Sequence, residues 1–131
     1  FQMANITKKD IEKILNKIPT ELKKYFFRGY FDGDGSIYKY EKYYHVGLNM
    51  TSTYEQDWIF IEKLFKELNI KTHIRRQEYK NKKTNKKYKM SRIVIQNKKD
   101  IIGFCEYIYG LEYDNIGLKR KYKIYEKIKN N

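Results

Sequence analysis

The 131-residue sequence contains a single cysteine, Cys105, and only two histidines. One cysteine cannot form an intramolecular disulfide, and this set is too small for a tetrahedral zinc site. A disulfide-stapled scaffold and a zinc finger are therefore excluded. Cys105 lies within an apolar helical pattern, so we expect it to be a small core residue.

Long apolar runs and a secretory leader are also missing. Apolar runs such as 25–27 and 93–95 are far below the ~20 residues that a membrane span needs. We therefore expect neither a membrane span nor a membrane partner. Phe1 and Gln2 resemble the remnant of a cleaved expression tag, which would make Met3 the native start. Without a leader pattern, an intracellular location is expected.

The chain is rich in positive charge and in aromatic residues. It carries 29 Lys and Arg against 16 Asp and Glu, a net charge of +13, with 17% aromatic and 40% hydrophobic residues. This apolar content is sufficient to fold one domain of this length. Ten cations and one acid lie between 71 and 92. Because this run shows strand-like alternation and not the pattern of a basic amphipathic helix, it favours a surface that binds nucleic acid.

Hydrophobic periodicity predicts an α+β fold. The expected elements are helices 6–18 and 20–31, strands 37–42 and 43–52, a helix after 53, strands 70–77 and 86–96 around a tip at 81–85, and helices 100–109 and 115–129. Helices alternate with β-hairpins, which predicts a four-stranded, mainly antiparallel sheet with helices on one face. We expect an N-terminal extension over 1–19 and a single domain over 20–131.

Short sequence motifs predict several helix ends, and the spacing of apolar residues predicts which side chains of strand 86–96 face the core. Capping boxes are expected at Thr7–Asp10 and Thr53–Gln56, Thr20 is expected to cap the second helix, and the glycines of 32–35 permit a left-handed helix end. In strand 86–96, burial of Ile93 and Ile95 would turn Tyr88, Met90 and Arg92 outward, unless a β-bulge shifts the register.

Two aspartates, Asp32 and Asp34, follow the predicted helix 20–31. The helix macrodipole is negative at this end, so each carboxylate is disfavoured there by about 0.3–1 kcal/mol. A divalent cation would offset this, because Mg²⁺ and Ca²⁺ prefer carboxylate and carbonyl oxygens. A plain Asp-Gly turn is the simpler alternative. An EF-hand loop is excluded, since its sixth and twelfth positions would be Ile37 and Tyr43.

The helix that leads into these acids has two glycines, Gly29 and Gly33, at the G-x-x-x-G spacing that lets two backbones approach closely. Glycine inside a helix costs about 0.5–1 kcal/mol, so its use indicates a packing benefit. The segment Phe27-Arg28-Gly29-Tyr30-Phe31-Asp32-Gly33-Asp34-Gly35 resembles the nine-residue motif of the LAGLIDADG homing endonucleases. The first and last glycines and both aspartates match that motif. Phe27-Arg28 replaces the usual Leu-Ala, and Tyr30-Phe31 is aromatic.

The resemblance extends over residues 20–129 and implies the αββαββα fold of the family, here with an extra N-terminal helix. In this fold a four-stranded antiparallel saddle lies in the major groove of double-stranded DNA. The implied activity is a metal-dependent double-strand break in a long, near-palindromic DNA target, as in the homing of an intron or intein. The implied cofactor is Mg²⁺, with Ca²⁺ supporting binding without efficient cleavage.

The resemblance also assigns roles to individual residues. Asp34 would hold the metal, with Gly33 and Asp32 as further candidate ligands. Asn49, together with Lys119 or Lys121, would organise the attacking water and the scissile phosphate. For the two lysines, plain phosphate contact or solvation is an equally open interpretation.

The DNA-binding residues are expected on outward strand positions and in the basic hairpin: His45, Thr51, Lys71, His73, Arg75, Gln77, Lys80, Lys82, Lys83, Lys86, Lys87 and Arg92. Only one motif is present, because segment 110–117 has its acids one residue out of place and is predicted to be a loop and helix cap. A single motif implies a homodimer. Its interface residues would be Tyr25, Phe26, Gly29, Tyr30 and Gly33.

A binding-only relative is the alternative function. Such a protein would keep the fold without cleavage, as a DNA-binding regulator or an intron RNA maturase. Retention of both Asp32 and Asp34 favours the endonuclease, since a binding-only protein has no need for an unfavourable acid pair at a dimer axis.

Overall fold

The computed structural model describes residues 8–40, 45–110 and 119–130, with the side chains of 8–10 left out. Its elements are α1 (Lys8–Lys17), a 3-10 turn (Thr20–Leu22), α2 (Lys23–Asp34), β1 (Gly35–Tyr40), β2 (His45–Ser52), α3 (Ile59–Glu67), β3 (His73–Lys80), β4 (Lys87–Ile95), α4 (Lys98–Tyr109) and α5 (Lys119–Lys129). The predicted alternation of helices and hairpins is confirmed. The look-alike segment 110–117 lies outside the described residues except for Gly110, whose positive φ of 72° ends α4.

The four strands form one antiparallel sheet in the order β1-β2-β4-β3. Pairing is continuous along both sides of β4, so its described residues contain no bulge. Ile93 and Ile95 are fully buried, as expected. The alternate positions Tyr88, Met90 and Arg92 consequently face away from the core.

The helices pack on one face of this sheet. Leu48 and Met50 of β2 are buried beneath them. An aromatic cluster joins three helices: the ring centroids of Phe31 and Phe104 are 5.7 Å apart, and those of Phe65 and Phe104 are 5.4 Å apart. This packing fixes α2 against the sheet and so fixes the position of the acids at its end.

The N-terminal helix α1 contributes to the same core. Ile11 and Leu15 are both buried in the main hydrophobic cluster. The side chains of the capping box predicted at Thr7–Asp10 lie outside the described residues.

Three predicted helix ends were wrong. Thr20 does not cap α2 but lies inside a 3-10 turn, because Pro19 ends α1 close to the start of the next helix. Gln56 does not cap α3, because it is buried and accepts a hydrogen bond from Ser52 at 3.0 Å, while Asp57 Oδ1 accepts from the Ile59 amide at 2.9 Å. Gly35 follows α2 in an extended conformation with φ −96°, since the chain enters β1 without a left-handed residue.

None of the helices in the described part of the chain is long and apolar enough to cross a lipid bilayer.

Candidate metal and nucleic-acid site

The two aspartates at the end of α2 have different surroundings. Asp32 Oδ1 accepts a hydrogen bond from the Tyr109 hydroxyl at 3.0 Å. Within the described residues, no hydrogen bond or ion pair occupies the Asp34 carboxylate, which is half-buried and lines a cavity of about 260 Å³. Asp34 is therefore the acid that remains available for a ligand.

Tyr109 links the first acid to the unusual arginine of the motif. The Arg28 guanidinium lies 5.5 Å from the centroid of the Tyr109 ring. Burial, with a further contribution from the Asp32 charge, raises the pKa of the Tyr109 hydroxyl, which therefore stays protonated and donates to Asp32. Asp32 thus has a structural partner within its own chain.

Lys121 is brought to the acid end of α2 from the far end of the sequence. Its Nζ donates to the main-chain oxygens of Phe31 at 2.6 Å and Asp32 at 3.0 Å, and the side chain is only 5% exposed. Burial lowers the Lys121 pKa, and the nearby charges of Asp32 and Asp34 oppose this shift. Both hydrogen bonds place the Lys121 Nζ at the negative end of the helix dipole. Lys119, by contrast, is exposed.

Two hydrogen bonds connect the end of α2 to β2. The Tyr30 hydroxyl donates to the Thr51 carbonyl at 2.6 Å, and Thr51 Oγ1 donates to the Asp34 carbonyl at 3.2 Å. Burial raises the pKa of Tyr30. Tyr30 lies in the core, so the structure does not place it on the exposed face of α2.

Asn49 lies on the same face of β2 as Thr51. It is opposite Ser36 of β1 and Val94 of β4, and its side chain is 8% exposed. Ser36 is two residues beyond Asp34, which brings Asn49 to the same end of the sheet as the acid.

The face of the sheet away from the helices carries most of the expected DNA-binding residues. Strand register places the following side chains on it: His45, Thr51, His73, Arg75, Gln77 and Arg92. The lysines at the end of the β3–β4 hairpin are exposed: Lys80, Lys82, Lys83, Lys86 and Lys87. Lys71 is exposed too, but it precedes β3 and lines a separate cavity of about 440 Å³ beside α3.

Sequence reasoning did not name the aromatic residues of this outer face as site residues, although it expected Tyr88 to face outward. Tyr38 and Tyr40 of β1 lie beside His45, and the Tyr40 and His45 ring planes are 4° from parallel. Tyr79 and Tyr88 are directly opposite each other on β3 and β4. Their alternation with the basic residues was visible in the sequence and could have identified them.

One face of α2 is open to solvent in the isolated chain. Leu22, which immediately precedes α2, is 46% exposed, and Tyr25 within α2 is 54% exposed. A Cβ atom added to Gly29 or Gly33 would meet no atom within 4 Å. Phe26 is partly buried against the core. Apolar side chains and bare backbone therefore line the same helix that ends in Asp34.

The donor set at this helix end suits a hard cation but is incomplete in one chain. It offers the Asp34 carboxylate and the last carbonyls of α2, among them that of Gly33. Among the residues that the structure describes, no group of three or more His, Cys, Asp or Glu side chains could enclose a metal ion. Further ligands would have to come from a second chain, from the substrate or from water.

The segment that contains α2 and the sheet matches a known protein family. A family model described as "LAGLIDADG-like domain" matches residues 21–109, which include the whole of α2 and the sheet. The chain belongs to this family. A search of curated proteins found no match.

Solved structures with a similar fold are homing endonucleases. I-CvuI in complex with its target in the presence of Ca has a TM-score of 0.53 and 19% identity, over 83% of this chain and 67% of that chain. I-SmaMI bound to cleaved DNA has a TM-score of 0.46 and 19% identity, over 98% of this chain and 46% of that chain. The likeness to I-CvuI confirms the LAGLIDADG fold.

Proposed function

We propose that this protein is a homodimeric, divalent-metal-dependent DNA endonuclease that makes a double-strand break in a long, near-palindromic site. Its biological role would be the homing of an intron or intein, inside the cell where such DNA lies. The observation that carries the proposal is the open face of α2 at Gly29 and Gly33, which leads directly to the Asp34 carboxylate, a group without a hydrogen-bond or ion-pair partner among the described residues.

A second copy of α2 packed on this face would complete the site. Two glycines without neighbours allow close approach of the helix backbones. Such a two-fold pairing brings the two Asp34 carboxylates together at the helix ends. The two chains would then supply the pair of anionic ligands that one chain lacks.

DNA would bind along the outer face of the sheet. Positively charged residues follow β3 and β4 from Arg75 and Arg92 out to the hairpin lysines, and few acids oppose them. Charge of one sign on one face is the electrostatic signature of a nucleic-acid surface. Two such faces related by a two-fold axis would require a near-palindromic target.

The residues around Asp34 would have two kinds of role: some would bind the metal or the attacking water, and others would hold the helix end in position. Asp34, with the Gly33 carbonyl, would hold Mg²⁺, which would supply an activated water and stabilise charge on the cleaved phosphate. Asn49 would orient the attacking water. Lys121 would support the site through the end of α2, because its Nζ already contacts two main-chain oxygens.

The test begins by selecting binding sites from a random double-stranded DNA library. A plasmid that carries the selected site is then incubated with Mg²⁺ and each variant. We expect wild type to linearise the plasmid, and Asp34→Asn to bind equally well or more tightly without cutting. The matched control is Asp32→Asn, which removes a charge two residues away and should retain cutting. Binding without cleavage by wild type would instead favour a DNA-binding regulator, and preferential binding of intron RNA would favour a maturase.

A further inference from the structure

Strand β2 ends before its neighbour β4 does, and this difference leaves a notch in the sheet. The last residue of β2, Ser52, lies opposite Ser91, whereas the part of β4 from Lys87 to Met90 pairs only with β3 among the described strands. The cavity of about 260 Å³ beside the acid end of α2 lies at this notch. It is lined by the end of α2, the end of β2 and the adjacent part of β4: Asp34, Thr51, Ser52, Thr53, Lys89 and Met90.

Lys89 is the one positively charged residue that lines this cavity in the described part of the chain. Asp34 directly precedes β1, and β2 separates β1 from β4, so the backbones of Asp34 and Lys89 are about 10 Å apart across two strand spacings. A carboxylate and an ammonium group thus line one small cavity from opposite sides. This arrangement suits a metal-bound phosphate, because the carboxylate can hold the metal while the ammonium donates to a phosphate oxygen.

The Lys89 ammonium has partners that it can leave easily. Its Nζ lies 3.2 Å from Glu78 Oε1 and 5.3 Å from the centroid of the Tyr54 ring. The hydrogen bond to Glu78 raises the pKa of Lys89, so the group stays charged. The side chains of Lys89 and Glu78 are 55% and 59% exposed, and ion pairs at such exposed positions contribute little to stability. The ammonium can therefore exchange Glu78 for a phosphate oxygen at little cost.

The two lysines expected at the site from the sequence do not line this cavity. Lys121 Nζ is buried and already donates to the main-chain oxygens of Phe31 and Asp32. Lys119 is exposed and is not among the residues that line the cavity. A positive charge for the phosphate is thus provided from β4 and not from α5.

We propose that Lys89 contacts the scissile phosphate and stabilises the negative charge that develops on it during cleavage. In hydrolysis the water oxygen bonds to phosphorus while the bond from phosphorus to one sugar oxygen breaks. The water loses a proton to solvent, and the sugar oxygen gains one. Lys89 donates to a non-bridging oxygen, whose negative charge increases in the transition state. The inference rests on the proposed function, because it needs a DNA phosphate in the cavity beside Asp34.

The first experiment measures the rate of a single round of cutting in Mg²⁺, with protein in excess over a duplex that carries the selected site. Lys89→Met removes the charge and nearly keeps the length of the side chain, so it should lower this rate by about 10²- to 10³-fold, as expected for loss of one donor to transition-state charge. Its affinity for the same duplex in Ca²⁺ should fall by about tenfold at most, because one phosphate contact among several is lost. Lys89→Arg should restore part of the rate.

Glu78→Gln is the matched control, because it breaks the same ion pair but leaves the ammonium in place. We expect it to cut at least as fast as wild type, since Lys89 no longer has to leave a carboxylate. An equal loss of rate in Glu78→Gln and Lys89→Met would show that the pair is only structural. Undiminished cutting by Lys89→Met would remove Lys89 from the reaction. Thermal unfolding of each variant confirms that the fold is retained.

The second experiment locates the contact on the DNA. Each phosphate around the centre of the selected duplex is replaced in turn by an uncharged methylphosphonate, and affinity is measured in Ca²⁺. At the phosphate that wild type cuts, the replacement should weaken binding more in wild type than in Lys89→Met. An equal loss in both proteins at that phosphate would overturn the inference and leave the endonuclease proposal standing. If wild type binds its selected site without cutting it, the proposed function fails, and the contact between Lys89 and a scissile phosphate fails with it.

Discussion

Lys121 Nζ donates to the Phe31 carbonyl at 2.6 Å and thereby closes the C-terminal end of α2 with a buried positive charge. The two residues are 90 positions apart in the sequence. A second bond to the Asp32 carbonyl makes the contact two-pronged. The last helix of the chain thus stabilises the helix end from which Asp34 projects, so fold stability and site geometry depend on the same ammonium.

Replacement of Lys121 by methionine should therefore destabilise the protein. The variant removes the Lys121 donor from both carbonyls, although that of Phe31 still accepts from the Gly35 amide. The loss of hydrogen bonds to buried groups costs about 1–3 kcal/mol. The control is Lys119→Met two residues earlier, at an exposed position, where we expect a change within about 0.5 kcal/mol. Urea unfolding followed by circular dichroism measures both. Equal stability of the two variants would show that the Lys121 contacts contribute nothing.

The sequence indicated the acid pair and its helix because their signals are local. Nine consecutive residues carry the motif, and the spacing of Gly29 and Gly33 follows directly from helix geometry. The faces of the hairpins were predictable for the same reason, since alternation along a strand determines which side chains share a face. For β4, burial of Ile93 and Ile95 favoured the observed register, but the sequence left a β-bulge open, and only the strand pairing in the structure decides the register.

Contacts between distant segments could not be predicted in this way. Tyr109 and Asp32 are 77 residues apart, and no periodic pattern connects them. The predicted cap at Gln56 was wrong because its side chain accepts a hydrogen bond from Ser52 and donates one to the Asp57 carbonyl. The role of Lys121 was equally hidden, because its partners are main-chain oxygens, whose positions depend on the whole fold.

A large side chain on the open face of α2 should prevent dimerisation. Gly29→Leu or Gly33→Leu should block association, because a side chain would hold two helices apart. The isolated chain should remain folded, since an added Cβ at either position meets no atom within 4 Å. Light scattering at micromolar concentration should report a dimer for wild type and a monomer for each variant. Lys63→Leu, on the exposed surface of α3, is the control for added apolar bulk. A wild-type protein that stays monomeric with and without DNA would contradict the dimer.

The hairpin lysines predict strongly salt-dependent binding. If each subunit supplies several phosphate contacts, affinity should fall by about 10³- to 10⁵-fold between roughly 50 and 200 mM salt. Replacing Lys82, Lys83 and Lys86 by glutamine should reduce the slope of log affinity against log salt. It should leave sequence preference unchanged, because phosphate contacts position the protein without reading bases. Fluorescence anisotropy with a labelled duplex measures the slope. A slope that is the same in wild type and the triple variant would show that these lysines do not contact DNA.

If the Asp34 carboxylate is the metal ligand, Mg²⁺ and Ca²⁺ should have different effects on binding and cutting. Mg²⁺ demands near-octahedral geometry at short distances, whereas Ca²⁺ accepts more ligands at longer and less regular distances. We expect Mg²⁺ to support cutting of the selected site, and Ca²⁺ to support binding with little cutting. In Asp34→Asn both metals should lose their effect on affinity, because the anionic ligand is gone while the side-chain volume is kept. The affinity of the protein for a labelled duplex is measured at increasing concentrations of each metal, with EDTA as the metal-free control. Gel analysis of the same samples measures cutting. If affinity responds to metal as strongly in Asp34→Asn as in wild type, the metal binds elsewhere and Asp34 is not its ligand.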